Sequence, residues 1–220
     1  MTPPALEFAN VRVLRGGRPV LSLEPLAFES GSIVTVEGGN GAGKSTLLLA
    51  SAGLIPLAEG TIHLFGQPYH RGAAPAPRDQ RRRTGLVLQD PWLPEGTVGQ
   101  AVQLGLRLRG VPGPVRSERL NSTIQQLELQ DLQQRQCHSL SGGERRQVAL
   151  ACVWALDPDI LLLDEVTSGL DDTRCQHFER VLLPKALARG KTLLVSTHDP
   201  ELASRLGARR IVLWDGRVRE

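Results

Sequence analysis

The stretch Gly38-Gly39-Asn40-Gly41-Ala42-Gly43-Lys44-Ser45-Thr46 decides the fold of this chain. It fits the pattern G-x-x-x-x-G-K-[S/T], in which a glycine-rich loop joins a strand to a helix. The apolar run 32–37 before it predicts a buried strand, and the run 47–52 after it predicts the start of a helix. The stretch therefore lies in the structural context that the pattern requires.

The residue types of this stretch suit the binding of phosphate groups. Glycines let the backbone turn tightly and bring its N–H groups against phosphate oxygens. The N-terminus of the following helix adds a partial positive charge at the same place. We therefore predict that residues 38–46 bind the phosphates of a nucleotide, with Lys44 reaching the β- and γ-phosphates and the Ser45 hydroxyl binding Mg²⁺.

Length and composition limit the possible classes of protein. The 220 residues, of which 40% are hydrophobic, suffice for one large α/β domain or one domain with a small subdomain. The net charge of +3 is a weak bias that scattered surface arginines explain, so we expect no nucleic-acid partner. The three widely spaced cysteines, Cys137, Cys152 and Cys175, favour a reducing compartment over a disulfide scaffold.

Targeting and membrane segments are not expected. The N-terminal residues lack a basic segment followed by an apolar one, which argues against a signal peptide. No apolar run approaches the ~18 residues that a spanning helix needs. If this chain works at a membrane, another chain must supply the spanning helices.

The order of strand and helix patterns predicts the architecture. Segments 6–14 and 20–28 favour antiparallel strands joined by a turn at 15–19, and 71–80 favours a surface loop. Apolar residues recur at helical spacing over 97–108 and 115–129. Short apolar strands alternate with helices elsewhere, including a helix over 173–188 that Pro184 must kink or end.

We therefore predict an α/β fold, a P-loop NTPase with a mostly parallel core sheet, an N-terminal antiparallel β-subdomain and an inserted helical subdomain. The chain is expected to form one nucleotide-hydrolysing domain over 1–220, with the core at about 1–90 and 157–220 and the helical subdomain at about 91–156.

A second group of residues that can take part in chemistry follows the strand 160–163. Its four apolar residues are followed directly by Asp164 and Glu165. Asp164 is expected to hold Mg²⁺, and Glu165 to polarise a water molecule for attack on the γ-phosphate. Because ligands of parallel sheets bind at the carboxyl ends of the strands, Gln89 and His198, which also follow predicted strands, are expected at the same edge.

A third group, Leu140-Ser141-Gly142-Gly143-Glu144, opens a helix. Ser141 is a suitable N-cap, and the two glycines expose backbone N–H groups, so this is a second anion-binding helix start. One chain has little use for two such sites unless the second serves a nucleotide held by another copy.

Together these segments resemble the ATP-binding subunit of ATP-binding-cassette (ABC) transporters, over nearly the whole chain. Five segments match in the order of that family: the phosphate loop 38–46, Leu88-Gln89-Asp90-Pro91, the signature Leu140-Ser141-Gly142-Gly143-Glu144, Asp164-Glu165 with Ser168-Gly169-Leu170-Asp171, and Ser196-Thr197-His198-Asp199.

The resemblance implies a site shared by two ATPase subunits, which pack head to tail as a homodimer or heterodimer. ATP would lie between the phosphate loop of one subunit and the signature of the other, where it meets Ser141, Gly142, Gly143 and Glu144. Catalytic roles are implied for Glu165, His198, Lys44 and Gln89. Mg²⁺ would be bound by Ser45, Gln89 and Asp164, and Asp171 would lie at the dimer interface.

The resemblance also implies a partner and a cellular location for the chain. A separately encoded transmembrane permease would be its partner, and the chain would sit peripherally on the cytoplasmic face of the cell membrane. The alternative is a non-transport ABC ATPase with a role in DNA repair, translation or cluster assembly. Long coiled-coil insertions, zinc-type cysteine pairs or fused cassettes would indicate that alternative, and the sequence has none.

The sequence departs from the family pattern in three places. Glu144 replaces the usual glutamine of the signature, and Val166 replaces a common proline. No aromatic residue is present in the first turn to stack on adenine, and Arg15 falls near that position. Either the arginine plane stacks on the base or adenine is loosely held.

Two passages favour the energy-coupling-factor or cobalt/nickel type of importer: 85–91, followed by Thr97-Val98 and the Val102, Gly105 pattern, and 148–156. Trp92 and Leu93, which follow Gln89 closely, have two possible roles. They either help to form a groove in which a helix of the partner docks, or they anchor the loop in the protein interior.

Overall fold

The computed structural model describes residues 2–219 and divides them into two units. The first unit comprises the chain through Leu86, then Asp159–Glu165, and the chain from Lys185 onward. The second unit comprises Val87–Pro158 and Val166–Pro184. The predicted helical segment 91–156 lies inside the second unit, which also takes in the residues directly after Glu165.

Eleven β-strands and eight α-helices are present among these residues. In chain order they are β1 Leu6–Arg15, β2 Arg18–Leu23, β3 Leu26–Phe28, β4 Ile33–Glu37, α1 Lys44–Ser51, β5 Glu59–Leu64, β6 Gln67–Arg71, α2 Arg78–Arg81, β7 Thr84–Val87, α3 Val98–Leu108, α4 Gly113–Gln126, α5 Gly142–Trp154, β8 Ile160–Asp164, α6 Asp172–His177, α7 Leu183–Ala188, β9 Thr192–Thr197, α8 Leu202–Leu206, β10 Arg209–Trp214 and β11 Arg217–Arg219.

The antiparallel sheet of the first unit has the strand order β2-β1-β5-β6, with β3 also paired to β1. Side chains of β1 alternate between buried and exposed, as expected for a sheet with one solvated face. The predicted strand 20–28 is divided in two around Pro25, since proline cannot donate to a ladder. The bounds of the loop predicted over 71–80 are wrong at both ends, because β6 reaches Arg71 and α2 begins at Arg78.

The second sheet positions the candidate site. Its strand order is β11-β10-β4-β9-β8-β7, and β10, β4, β9 and β8 are parallel. Every residue of β4, β8 and β9 is buried, which explains why these strands are nearly continuous apolar runs. The observed α/β architecture confirms the predicted mostly parallel core sheet and N-terminal antiparallel strands.

The second unit is helical. Helix α3 packs against α4 and α5, and the capping box of Thr97 and Gln100 fixes its start. The predicted helix 173–188 contains a π-helical turn, Phe178–Leu182, between α6 and α7. Because Pro184 has no N–H to donate, a widened turn before it lets the helix continue. Within residues 2–219, none of the helices is both long enough and apolar enough to span a bilayer.

Candidate active site

The phosphate loop joins the buried strand β4 to helix α1, as predicted. Gly38 and Gly43 have φ angles of 149° and 105°, which favour glycine. A Cβ atom at Gly38 would lie 2.4 Å from the Leu213 carbonyl oxygen, so no other residue fits there. Nothing lies within 4 Å of the Cβ positions of Gly39 and Gly41, so the outer side of the loop is open. The loop can therefore accept a phosphate chain beside its backbone.

The Lys44 ammonium lies within this loop, and the residue is 6% exposed. Its Nζ donates to the carbonyl oxygens of Gly38, at 2.8 Å, and Gly39, at 3.4 Å. It also lies 3.5 Å from Glu165 Oε1. A buried positive charge held by carbonyls and one carboxylate can transfer to phosphate oxygens at little cost in desolvation, because it has already left water.

The end of β8 carries the two predicted carboxylates, both buried. Asp164 pairs in register with Ser196 of β9, whose Oγ donates to Asp164 Oδ1 at 2.5 Å. The backbone N–H of Glu165 donates to the same Oγ at 3.0 Å. One hydroxyl of the neighbouring strand therefore positions both acidic residues.

Glu165 is held in a restricted geometry. Its φ of 51° lies in the left-handed region, which non-glycine residues seldom adopt. His198 Nε2, just beyond β9, lies 2.5 Å from Glu165 Oε1, and the histidine side chain is half exposed. The structure thus brings Lys44, Glu165 and His198 together around one carboxylate oxygen.

The donor set of this unit fits Mg²⁺ bound together with a nucleotide. Among residues 2–219 no group of three or more His, Cys, Asp or Glu residues could hold a metal by itself. Mg²⁺ commonly binds to one or two protein oxygens and takes its other ligands from water and substrate phosphates. The exposed Ser45, in the first turn of α1, and the carboxylate Asp164 are oxygen donors of that kind.

Arg15 lies at the exposed end of β1, where it pairs in register with Arg18 across the turn. The strand β2 that follows approaches the phosphate loop, since a Cβ at Gly43 would lie 3.1 Å from the Val20 carbonyl oxygen. No described contact joins Arg15 itself to the loop, and its stacking on adenine stays a prediction.

The signature lies in the second unit, at the start of α5. Ser141 is the N-cap: its Oγ accepts from Glu144 N at 3.3 Å, and its own N–H donates to Glu144 Oε2 at 2.7 Å. A Cβ atom at Gly143 would lie 2.9 Å from the Gly169 carbonyl oxygen, so this helix start closely approaches the segment after Glu165. Ser141 and Gly142 are exposed, which leaves this helix start accessible to a ligand.

Gln89 and Asp171 also lie in the second unit. Gln89 is exposed just beyond β7, and its carbonyl oxygen accepts from Arg146 Nε at 2.7 Å. Asp171 is the exposed N-cap of α6, with Oδ1 accepting from Arg174 N at 2.9 Å. The structure therefore gives both residues a local partner, and their roles at Mg²⁺ and at a dimer interface stay predictions.

Three functional candidates were missed from the sequence. Ser196 belongs to the segment Ser196-Thr197-His198-Asp199, but its role depends on its register with Asp164, which follows only once β8 and β9 are known to be neighbours. Arg146 bridges the carbonyl oxygens of Gln89 and Ser168. Arg135 Nη1 donates to Glu144 Oε1 at 2.8 Å. No sequence spacing signals these arginine contacts, because Arg146 reaches residues 57 and 22 positions away, and Arg135 and Glu144, nine residues apart, do not share a helix.

The exposure of Trp92 decides between its two predicted roles. Its side chain is 79% exposed, whereas the neighbouring Pro91 is buried. Trp92 is therefore not an anchor in the interior, and the docking role remains.

Comparisons with known proteins identify the family of this chain. A family model described as ABC transporter matches residues 24–168. The energy-coupling factor transporter ATP-binding protein of Methanospirillum hungatei is 36% identical over 204 residues, covering 91% of this chain and 50% of that protein. The cobalt import ATP-binding protein of Rhodobacter capsulatus is 38% identical over 220 residues, covering 99% of this chain and 78% of that protein.

A solved structure has the same fold. It is cbiO1 from Clostridium perfringens, described as part of the ABC transporter complex cbiONQ, with a TM-score of 0.84 and 26% identity over 99% of this chain and 88% of that one. The chain thus spans half the length of the first relative and more of the others. These matches confirm the resemblance stated from the sequence, including its leaning toward the energy-coupling-factor and cobalt type. Since the family model covers more than half of the chain and both relatives exceed 30% identity, this protein belongs to the ABC transporter family and carries its ATP-binding, ATP-hydrolysing domain.

Proposed function

We propose that the chain hydrolyses ATP at a site shared by two ATPase subunits and thereby powers solute transport by a separate membrane-spanning permease. The observation that carries the hydrolytic part is the buried Glu165 carboxylate between Lys44 and His198, beside a loop that is open on its outer side. The names of the relatives, which are ATP-binding proteins of transport systems, support the transport part.

The roles of the residues in hydrolysis follow from their positions. Backbone N–H groups of residues 38–46 and the start of α1 hold the phosphates, and Lys44 moves from the loop carbonyls onto their oxygens. This movement removes the ammonium from Glu165. The freed carboxylate then accepts a proton from the attacking water, which His198 helps to hold.

Mg²⁺ is the proposed cofactor. Ser45 Oγ, Asp164 and the Gln89 side chain would hold it, and Ser196 orients Asp164 for that role. When bound, Mg²⁺ neutralises negative charge on the β- and γ-phosphates.

The second subunit supplies the far side of the nucleotide. Each signature helix start is exposed, and within residues 2–219 the Gly142 and Gly143 N–H groups have no described partner, which suits a phosphate bound to the loop of another subunit. Asp171, exposed at the start of α6, is the proposed interface residue. A homodimer and a heterodimer are both compatible with this arrangement.

The permease is the proposed membrane partner, and the chain is proposed to lie peripherally on the cytoplasmic face of the membrane. The exposed Trp92, three residues after Gln89, offers a large apolar surface on which a helix of the permease can dock. Docking beside Gln89 would couple the permease to the nucleotide site.

The test of the proposed chemistry is Glu165→Gln. We expect ATP binding to persist, hydrolysis to fall about 100-fold or more, and an ATP-bound dimer to accumulate, because the amide cannot accept the proton. Nucleotide binding, phosphate release and size-exclusion chromatography with ATP measure the three quantities. Near-normal phosphate release by this variant would refute Glu165 as the base.

A further inference from the structure

The signature of this chain carries a carboxylate, Glu144, within the first turn of a helix start that is proposed to bind a phosphate. That carboxylate accepts from the Ser141 backbone N–H and from Arg135 Nη1, at 2.7 and 2.8 Å. The two hydrogen bonds occupy different oxygens, Oε2 and Oε1. Glu144 is therefore fixed beside Gly142 and Gly143, and does not turn away into solvent.

An ionised Glu144 opposes phosphate binding. Hydrogen bonds from Ser141, followed by the neighbouring Arg135, lower the pKa of this carboxyl group, so it is charged at neutral pH. Its negative charge offsets the partial positive charge of the helix N-terminus and repels phosphate oxygens. A glutamine at this position could keep the Ser141 hydrogen bond without that charge.

Arg135 is positioned to cancel this charge. Its backbone carbonyl accepts from Val98 N at 3.0 Å, which ties it to the start of α3. Its second guanidinium nitrogen, Nη2, donates to the Ser139 carbonyl oxygen at 3.1 Å, so the guanidinium lies against the segment that leads into the signature. The arginine thus has a fixed place and a fixed carboxylate partner.

We propose that Arg135 is a positioning residue for ATP: it neutralises and orients Glu144, so that a signature ending in glutamate can bind the phosphates of a nucleotide held by the other subunit. This inference rests on the shared site of the proposed function. It assigns to Arg135 an effect on ATP affinity that is much larger than its effect on folding, since a partly exposed ion pair contributes little to stability.

Four proteins test the inference: wild type, Arg135→Gln, Glu144→Gln and the double variant. We expect Arg135→Gln to raise the KM for ATP about tenfold, because it leaves an unpaired carboxylate facing the phosphates. In the Glu144→Gln background the same arginine substitution should change KM less than about twofold, because no charge remains to be cancelled. Raising the salt concentration to about 1 M should shrink the effect of Arg135→Gln, since the Debye length falls to about 3 Å.

Arg119→Gln, on the exposed side of α4, is the matched control, because it removes one positive charge from the same unit and should leave KM unchanged. An equal effect of Arg135→Gln in both backgrounds would show that Arg135 acts through Ser139 and would overturn the inference. A KM for ATP equal to the wild-type value in Arg135→Gln would also overturn the inference.

The proposed function is tested separately in the same assay by Ser141→Arg. If Ser141→Arg abolishes hydrolysis while Arg135→Gln has no effect, only the inference fails. If Ser141→Arg hydrolyses ATP normally, the shared site itself fails.

Discussion

At Glu165 the backbone, a neighbouring strand and two side chains all constrain one carboxylate. A left-handed φ costs a residue other than glycine roughly 1–2 kcal/mol, and here it persists because Ser196 binds the backbone N–H. Ser196 binds Asp164 with the same hydroxyl. The geometry of both acidic residues therefore depends on one buried oxygen atom.

Ser196→Ala should lower the free energy of unfolding by about 2 kcal/mol, because it removes the hydrogen bond to a buried carboxylate. Urea denaturation followed by circular dichroism measures the change. The control is Ser204→Ala, at an exposed position of α8, where we expect a change within about 0.5 kcal/mol. Equal stability of the two variants would mean that Ser196 does not support the acidic pair.

Among the elements, helix α5 combines stability with the proposed binding role at a single terminus. Ser141 and Glu144 form a capping box that satisfies backbone N–H groups of the first turn. The box fixes where the helix begins, and thereby where Gly142 and Gly143 present their N–H groups. The same hydrogen bonds hold the pKa of Glu144 below its ordinary value of 4.5.

This lowered pKa predicts a pH dependence of stability. A carboxyl group with a lower pKa in the folded state stabilises fully above its unfolded pKa, and the stabilisation is lost as the pH falls through the folded pKa. The free energy of unfolding should therefore decline more steeply from about pH 5 downward in wild type than in Glu144→Gln. Urea titrations at several pH values measure both slopes. If the free energy of unfolding declined equally steeply with falling pH in both proteins, a contribution of ionised Glu144 to the cap would be contradicted.

Sequence patterns predicted local elements well and contacts between distant segments poorly. The loop from β4 to α1, the acids ending β8 and the capped start of α5 follow from glycine spacing, apolar runs and cap residues. The Ser196–Asp164 bond depends on the register of β9 with β8, which no local pattern contains. Strand β6 was missed because its sequence, Gln-Pro-Tyr-His-Arg, has proline in place of a strand-forming residue and forms only by pairing with β5.

For the whole molecule, the two units divide the proposed site between them. The first holds the phosphate loop and the acidic residues, and the second holds Gln89, Trp92 and the signature. In the proposed function each nucleotide thus needs the phosphate loop, the acidic residues and Gln89 of one subunit and the signature of another. Trp92 would link this assembly to the permease.

Trp92→Ala should reduce the recovery of a multispanning membrane protein with the tagged chain about tenfold or more, because exposed tryptophans often dominate interfaces. Membrane fractionation followed by affinity purification measures it. Trp214→Ala, which removes the exposed tryptophan of β10, is the matched control and should leave recovery unchanged. Recovery of the wild-type chain only with ribosomes or DNA would contradict a transport role.

The shared site is tested most directly by complementation between two inactive variants, Lys44→Ala and Ser141→Arg. Each alone has no intact site, whereas a mixed dimer pairs the intact loop of one subunit with the intact signature of the other. The two folded proteins are mixed in equal amounts and allowed to exchange subunits. We expect ATP hydrolysis at about a quarter of the wild-type rate, because half of the dimers are mixed and each mixed dimer has one intact site out of two. A rate no higher than the sum of the separate variants would contradict a site built from two copies of this chain.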